Sequence, residues 1–506
     1  MPGVGWDLAR RLVESSGQVV SSRPRRRRCA RASEHAVGAR WENGSVRLAV
    51  ALAFADASIV VLALPELVVQ LHTSISHVTW VIMTYNLALI VTAAAVIPFA
   101  RQLASPRALL AGLALFGLAS IGCGIANTMS DLLIFRCLQG VGGGLLLCAS
   151  LPVLAGGARA GGSPTTGWSA AAAIGVAVGP AAGGILTQIF DWRAIFLAQA
   201  PVAALAAILV YAAHRRSGSR SASDLDTLER RSVRLDPLTA NAGLGLLSAG
   251  LIGALFLVVL ALIDVWLVTP IAAAALVSTI PFATAISERA ARARSPICLS
   301  VAGAMLVATG LIGLSFVTHR ELGWMIIALT LVGTGLGLAF PPLTAAALQS
   351  AGPAAARAAK TVAARDAGII VGLLVLTPAF IDQLNKAPDR ALPDATKAVF
   401  TAPIPAGLKS TLAPGLLADY NKTPQGELPD FGPTFARASA RATRSQRTAL
   451  SDLHQQLDSI VQRAVTRAFK LPLRYGAILA ILVLPLLSVR LIYRKRTRPR
   501  LRARLL

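Results

Sequence analysis

The chain has 506 residues, of which 55% are hydrophobic and only 14% charged, with a mean hydropathy of +0.62. Soluble proteins carry about 25% charged residues, so this balance excludes an ordinary globular domain and points to an integral membrane protein. The net charge of +25 does not point to nucleic acid, because the basic residues lie between apolar segments and in the two tails, where they hold loops on the cytoplasmic side.

In chain order, residues 1–45 are polar and arginine-rich ("SSRPRRRRCAR"), lack a signal-peptide core, and are expected to form a disordered cytoplasmic tail. A bilayer core of about 30 Å needs roughly 20 apolar residues per helix. Twelve such segments follow, at about 46–68, 77–99, 106–127, 131–155, 166–188, 191–213, 239–262, 265–287, 297–317, 322–348, 361–381 and 473–493. The charges test this count independently. An even number of spans puts both basic tails on one side. The loops then assigned to the cytoplasm hold Arg101, Arg107, Arg159, the charged linker 214–238, "SERAARAR", Arg357, Lys360 and Arg365. The opposite loops hold little that is basic beyond Arg193 and Arg320. That asymmetry predicts cytoplasmic N- and C-termini, with a second basic tail at 494–506.

Residues 382–472 break the run of short connections and are expected to be extracytoplasmic. Their first part ("TAPIPAGLKSTLAPG") is rich in proline and glycine. Their second part has Leu450, Leu453, Leu457, Ile460 and Val461 at helical spacing, a face suited to packing on another helix of the same loop. The five cysteines (Cys29, Cys123, Cys137, Cys148, Cys298) have no metal-ligand spacing. No phosphate-binding loop of the Gly-x-x-x-x-Gly-Lys type is present, so ATP-driven transport is not indicated, and no cofactor is expected.

The chain repeats itself. Gly140, Gly142 and Gly144 have counterparts at Gly333, Gly335 and Gly337, and Gly175 and Gly179 at Gly368 and Gly372, all 193 residues later. This predicts two homologous six-helix halves, 46–213 and 239–493, related by a pseudo-twofold axis with a central cavity. Asp56 falls in the middle of the first span. A carboxylate at that depth costs about 2.5–3.5 kcal/mol on insertion scales and is by default a functional candidate. It is read either as a proton-exchanging group or as a carboxyl kept protonated for packing. Arg136, in the first turns of the fourth span, pairs with Asp131 or Asp56 or snorkels to the headgroups. Glu66 reads as interfacial, and Asp366 beside Arg365 as a local ion pair at the start of the eleventh span. No other acid reads as mid-membrane.

Several stretches of the first half resemble the major facilitator superfamily, in particular its drug:proton antiporter branch. They are "FADASIVVLALPEL" (54–67), "HVTWVIMTYNLA" (77–88), "FRCLQGVGGG" (135–144), "AIGVAVGPAAGG" (173–184) and "DWRAIFLAQAPV" (191–202). The second half matches more loosely, through "GTGLGLAFPPLT" (333–344). The resemblance implies an all-α integral membrane protein with a twelve-helix major facilitator fold, although usual members of that branch have fourteen helices. It implies a proton-coupled exporter of small amphiphilic or cationic molecules, not an enzyme, working in the cell membrane as a monomer. Its partners are protons, a small-molecule substrate and the bilayer. Asp56 and Arg136 are the expected proton-coupling residues. Gly175, Gly179, Pro180, Gly183 and Gly184 form the antiporter motif, read as a close helix contact between the halves. The gate loops are expected at Arg101 and Arg107 in "PFARQLASPRA" (98–108), which lacks the family's acid and glycine, and at Glu288 and Arg289 in "SERAARARSP" (287–296). Phe54, Trp80, Tyr85 and Trp168 are the available aromatic residues for a substrate cavity. A uniporter or importer, or a non-transporting sensor of the same fold, are the alternatives.

Overall fold

The structure is a computed structural model that describes residues 43–157, 164–217, 235–290, 295–317, 321–422, 431–440 and 442–488. The expected first tail (save 43–45), the 494–506 tail, Arg159 and most of the linker 214–238 lie outside the described residues.

Twelve helices among the described residues are long and apolar enough to cross a membrane. The first six are α1 (Asn43–Gln70), α2 (Ile75–Val96), α3 (Pro106–Ile125), α4 (Met129–Gly156), α5 (Pro164–Ile189) and α6 (Arg193–Arg215). Next come α7 (Pro237–Val265), α8 (Pro270–Arg289), α9 (Pro296–Ser315), α10 (Leu322–Ala347) and α11 (Ala354–Asn385). After α11 the chain forms α12 (Ala387–Thr401), α13 (Ala406–Lys422), α14 (Gly432–Ala440), α15 (Arg444–Ala468) and the final crossing helix α16 (Lys470–Ile481), whose helical run extends to Ser488. Helix starts follow local chemistry. Ser74, Ser105 and Asp236 each accept a backbone N–H three residues on, and Pro106 and Pro237 occupy the first helical position, where a missing N–H costs nothing.

The internal repeat is visible in the packing. Gly140 of α4 lies against the Tyr85 carbonyl on α2, and its counterpart Gly333 of α10 against the Ile280 carbonyl on α8. Gly142 packs on Phe116 of α3, and Gly335 on Val307 of α9. Small residues let the backbones touch, as they must where lipid supplies no hydrophobic drive between helices. The halves meet along two seams. On one, Ala93 and Val96 of α2 and Cys148 of α4 pack on Ala355, Ala356 and Ala359 of α11. On the other, Gly184 of α5 abuts Ala274 and Pro270 of α8, and the Gln188 amide oxygen accepts the Ile271 N–H at 3.1 Å.

This packing corrects the reading of the glycine motif. Gly175, Gly179 and Gly183 do not join the halves; a Cβ on them would meet Ala51, Ser58 and Ile59 of α1, within the same half. Gly184 alone of the motif glycines faces the other half, and Pro180 lines the cavity described below. The equivalents Gly368 and Gly372 of α11 pack in the same way on Gly245 and Ala249 of α7. The motif glycines therefore seat α5 on α1 as the repeated glycines seat α11 on α7.

Two boundaries also move. The eleventh span begins at Ala354 rather than 361, so Arg357, Lys360 and Arg365 are helical residues and not loop residues. Segment 382–472 is largely helical, including the proline- and glycine-rich stretch, most of which forms the start of α13. A proline in the first turn of a helix, or one whose freed carbonyl faces water, does not end it. Leu450, Leu453, Leu457 and Ile460 of α15 are buried against α12 and α14, and Thr443 and Gln446 form a capping box at its start. Truncating Leu453 to alanine removes a fully packed side chain, and such changes cost about 2–5 kcal/mol. Hydrogen exchange across 444–468 is expected to accelerate in Leu453→Ala and to stay at the wild-type rate in Gln456→Ala, whose side chain is exposed.

Candidate functional site

Asp56 sits midway along α1, and its carboxylate is fully buried. Four residues later the helix tightens into a 3-10 turn at Val60–Ala63, just before Pro65, which has no N–H to continue the α pattern. Arg136, also fully buried, reaches Asp56 from α4: its Nη1 donates to Oδ2 at 2.7 Å and to Oδ1 at 2.9 Å. Of the pairings open to Arg136 on sequence, Asp56 is thus the partner. The Arg136 Nε donates to the Val81 carbonyl at 2.9 Å, and the guanidinium lies over the Tyr85 ring at 4.5 Å and the Phe196 ring at 5.6 Å. The Tyr85 hydroxyl donates to the Ala53 carbonyl at 3.3 Å.

Gln139 completes this cluster and had been quoted in the sequence only as part of a motif. Three residues after Arg136, it shares a helix face with it. Its Oε1 accepts from Arg136 Nη1 at 2.7 Å, and its Nε2 donates to Asp56 Oδ1 at 3.2 Å. The same amide nitrogen is within reach of Ser120 at 2.9 Å and Gln199 at 3.0 Å. Helices α1, α3, α4 and α6 are joined at this point. Both Asp56 oxygens accept from Arg136, so a proton on Asp56 would cancel the charge that holds the guanidinium.

A cavity of about 1010 Å³, counted out to its open mouth, lies between the halves. Its walls come from α1, α5, α7, α8, α10 and α11 and are mostly apolar, with Leu251, Ile252, Leu255 and Phe340 among them. Phe54 and Trp168 are in it, as expected, and stack edge to face at 5.3 Å; the Trp168 Nε1 donates to Ser150 at 2.9 Å. Tyr85 and Trp80 are not. Tyr85 is buried beside Arg136, and Trp80 is 46% exposed on the outside of the bundle. Sequence alone places all four on helices but not on faces, because those helices are apolar all round. Trp168→Ala removes a buried ring beside Phe54 and is expected to cost about 3–5 kcal/mol of stability in a detergent melt, whereas Trp80→Ala, on the exposed outside, is expected to cost far less.

Two charged side chains line the cavity. Glu288 was expected in a gate loop; it lies instead in the last turns of α8, facing the cavity, because that helix runs on past residue 287. Arg365, expected in a cytoplasmic loop, is 11% exposed and lies over the Phe54 ring at 4.3 Å. It pairs with Asp366 at 3.2 Å, as expected, but Asp366 is 1% exposed and thirteenth in its helix, not at the start. It is a second deeply buried acid, which the shorter estimate of α11 hid. Arg101, Arg107 and Arg289 are exposed, and none of them makes an ion pair among the described residues.

Comparison with known proteins agrees with this architecture. The multidrug resistance protein Stp of Mycobacterium tuberculosis is 32% identical over 169 residues, 32% of this chain and 31% of Stp. The methylenomycin A resistance protein of Bacillus subtilis is 33% identical over 174 residues, 33% of this chain and 37% of that protein. The matches thus span about a third of the length of these curated relatives. A partially occluded inward open structure of the xylose transporter XylE from E. coli superposes with a TM-score of 0.53 at 16% identity, covering 67% of this chain and 90% of XylE, which is a likeness of fold. The family description Major Facilitator Superfamily matches residues 47–373. With twelve membrane-crossing helices, a repeated six-helix plan and that match over most of its length, the chain belongs to the major facilitator superfamily.

Proposed function

We propose that the protein is a proton-coupled exporter of small amphiphilic or cationic molecules that works by alternating access. The observation that carries this reading is the fully buried Asp56–Arg136 pair, an ionisable pair inside the membrane-spanning bundle whose attraction a proton on Asp56 would weaken. The apolar cavity with Glu288 and Arg365 on its walls supports it. So do the names of relatives that confer resistance to drugs and antibiotics. In this reading the halves, 46–213 and 239–493, rock about the cavity. The halves touch where Gly184 meets Ala274, and Ser169, Glu288 and Thr361 line the cavity toward the opposite end of the bundle. With both termini cytoplasmic, as the basic loops argue, that end of the cavity lies toward the cytoplasm and α12–α15 lie outside. A proton reaching Asp56 from outside loosens Arg136 and releases the substrate. Loss of the proton to the inside restores the pair.

The test is ethidium efflux from proteoliposomes under an imposed pH gradient. Movement that follows the gradient supports coupling, and movement indifferent to it, with substrate down its own gradient, indicates a uniporter. A sensor of the same fold is favoured by one observation, the exposed and unpaired Arg101 and Arg107 where the family has a gate latch. That reading is selected if no cationic or neutral amphiphile moves in either direction.

A further inference from the structure

Asp366 plays no part in the reading above, yet it is as deeply buried as Asp56 and is held very differently. Asp56 accepts hydrogen bonds on both oxygens, from Arg136 and Gln139. Asp366 accepts one, from Arg365 Nη1 to Oδ1 at 3.2 Å, and its Oδ2, out of contact with water, has no hydrogen-bond partner among the described residues. Neighbours in sequence leave an α-helix about 100° apart, so the arginine can bend back to only one oxygen while its other face lies on Phe54 at the cavity wall. A proton can therefore occupy Oδ2 without breaking any contact that the structure makes. An unpartnered polar atom of this kind in a membrane-embedded acid is either a standing cost or a binding position.

We propose that Asp366 is a second proton-binding site and that Arg365 reports its state to the cavity. With Asp366 ionised, the guanidinium is compensated and a cavity that also carries Glu288 tolerates a cation. With Asp366 protonated, the Arg365 charge stands alone on the wall beside Phe54 and repels a cation. The linkage is reciprocal: a cation in the cavity loosens the proton to the same degree, which is the sign that export against proton entry requires. The surrounding groups leave this local. On α2 the phenol of Tyr85 and on α4 the thiol of Cys148 are within electrostatic reach of Asp366, and Tyr85 is also within reach of Asp56 and Arg136. Helix α7 meets α11 through Gly245, against Ala364 and Gly368, and Ala249, against Gly372. Tyr85 thus stands between the two acid–arginine pairs, one in each half.

The protonation can be read without transport, by infrared titration of the protein in proteoliposomes at the high-frequency end of the carboxyl C=O region, where acids shielded from water absorb. One titrating band is expected to vanish in Asp366→Asn and to persist in Asp56→Asn, and tetraphenylphosphonium should displace its proton in the wild type. Retention of every titrating band in Asp366→Asn overturns the proposal. If that variant does not fold, Asp366→Glu serves instead: a shifted band supports the assignment and an unshifted one overturns it. The proposal rests on the exporter reading only for its consequence. Failure of that reading appears as absent efflux with the bands intact, whereas failure of the second site appears as gradient-driven efflux with no band assignable to Asp366.

Discussion

Asp56→Asn is expected to reduce pH-gradient-driven efflux of ethidium to the level of protein-free vesicles. The substitution keeps the shape of the side chain and an acceptor for Arg136 but removes the charge and the exchangeable proton. Because the pair is fully buried, removing one partner also leaves the guanidinium uncompensated, and breaking a buried pair in this way costs about 3–5 kcal/mol. Loss of activity alone would therefore be ambiguous. The double variant Asp56→Asn/Arg136→Gln removes both charges, and it is expected to regain much of the lost thermal stability in detergent without regaining the gradient response. Undiminished gradient-driven efflux in Asp56→Asn would show that the pair is structural and that coupling lies elsewhere. Arg136→Lys is not a conservative test, since one ammonium nitrogen replaces two separate donor positions, Nε to the Val81 carbonyl and Nη1 to Asp56 and Gln139.

The second large effect concerns the repeated glycines. In water, glycine to alanine inside a helix is worth up to about 1 kcal/mol of added helix stability. The same change at Gly368 or Gly175 is expected to destabilise the protein sharply, because the new methyl group would overlap backbone, the Gly245 carbonyl in one case and the Ala51 carbonyl in the other. Backbone cannot swing aside as a side chain does, so the helices must separate. Overpacking costs about 1–3 kcal/mol and occasionally more, and the two sites, in different halves, should add. The comparison is Gly156→Ala and Gly323→Ala, where nothing lies within 4 Å. Both should express and melt as the wild type does. The measurement is the yield of monodisperse protein and its thermal midpoint in detergent; equal behaviour of all four variants would refute the close-contact account.

Much of the architecture was legible from residues 46–381, because span length, the charge asymmetry of the loops and the 193-residue repeat are one-dimensional signals with direct physical causes. The depth of Asp56 was legible for the same reason. The direction in which side chains face was not. A membrane helix is apolar on its lipid side and on its protein side alike, so no periodicity distinguishes Trp80, on the outside, from Trp168, in the cavity. Charge also misled at Arg357, Lys360 and Arg365, which were read as loop residues but lie within a helix.

By itself the sequence determined that the chain has twelve segments long and apolar enough to cross a membrane, that it is built on a duplicated six-helix plan, and that Asp56 is an acid in the midst of an apolar segment. Only the tertiary structure decided which arginine answers that acid, that Gln139 joins them, and that the motif glycines seat α5 on α1 instead of bridging the halves. It also decided that a second acid, Asp366, is buried one residue from the cavity wall. These are contacts between residues 80 or more positions apart, or between faces of helices whose sides are chemically alike, and such contacts are set by how the helices pack against one another and not by any local pattern along the chain.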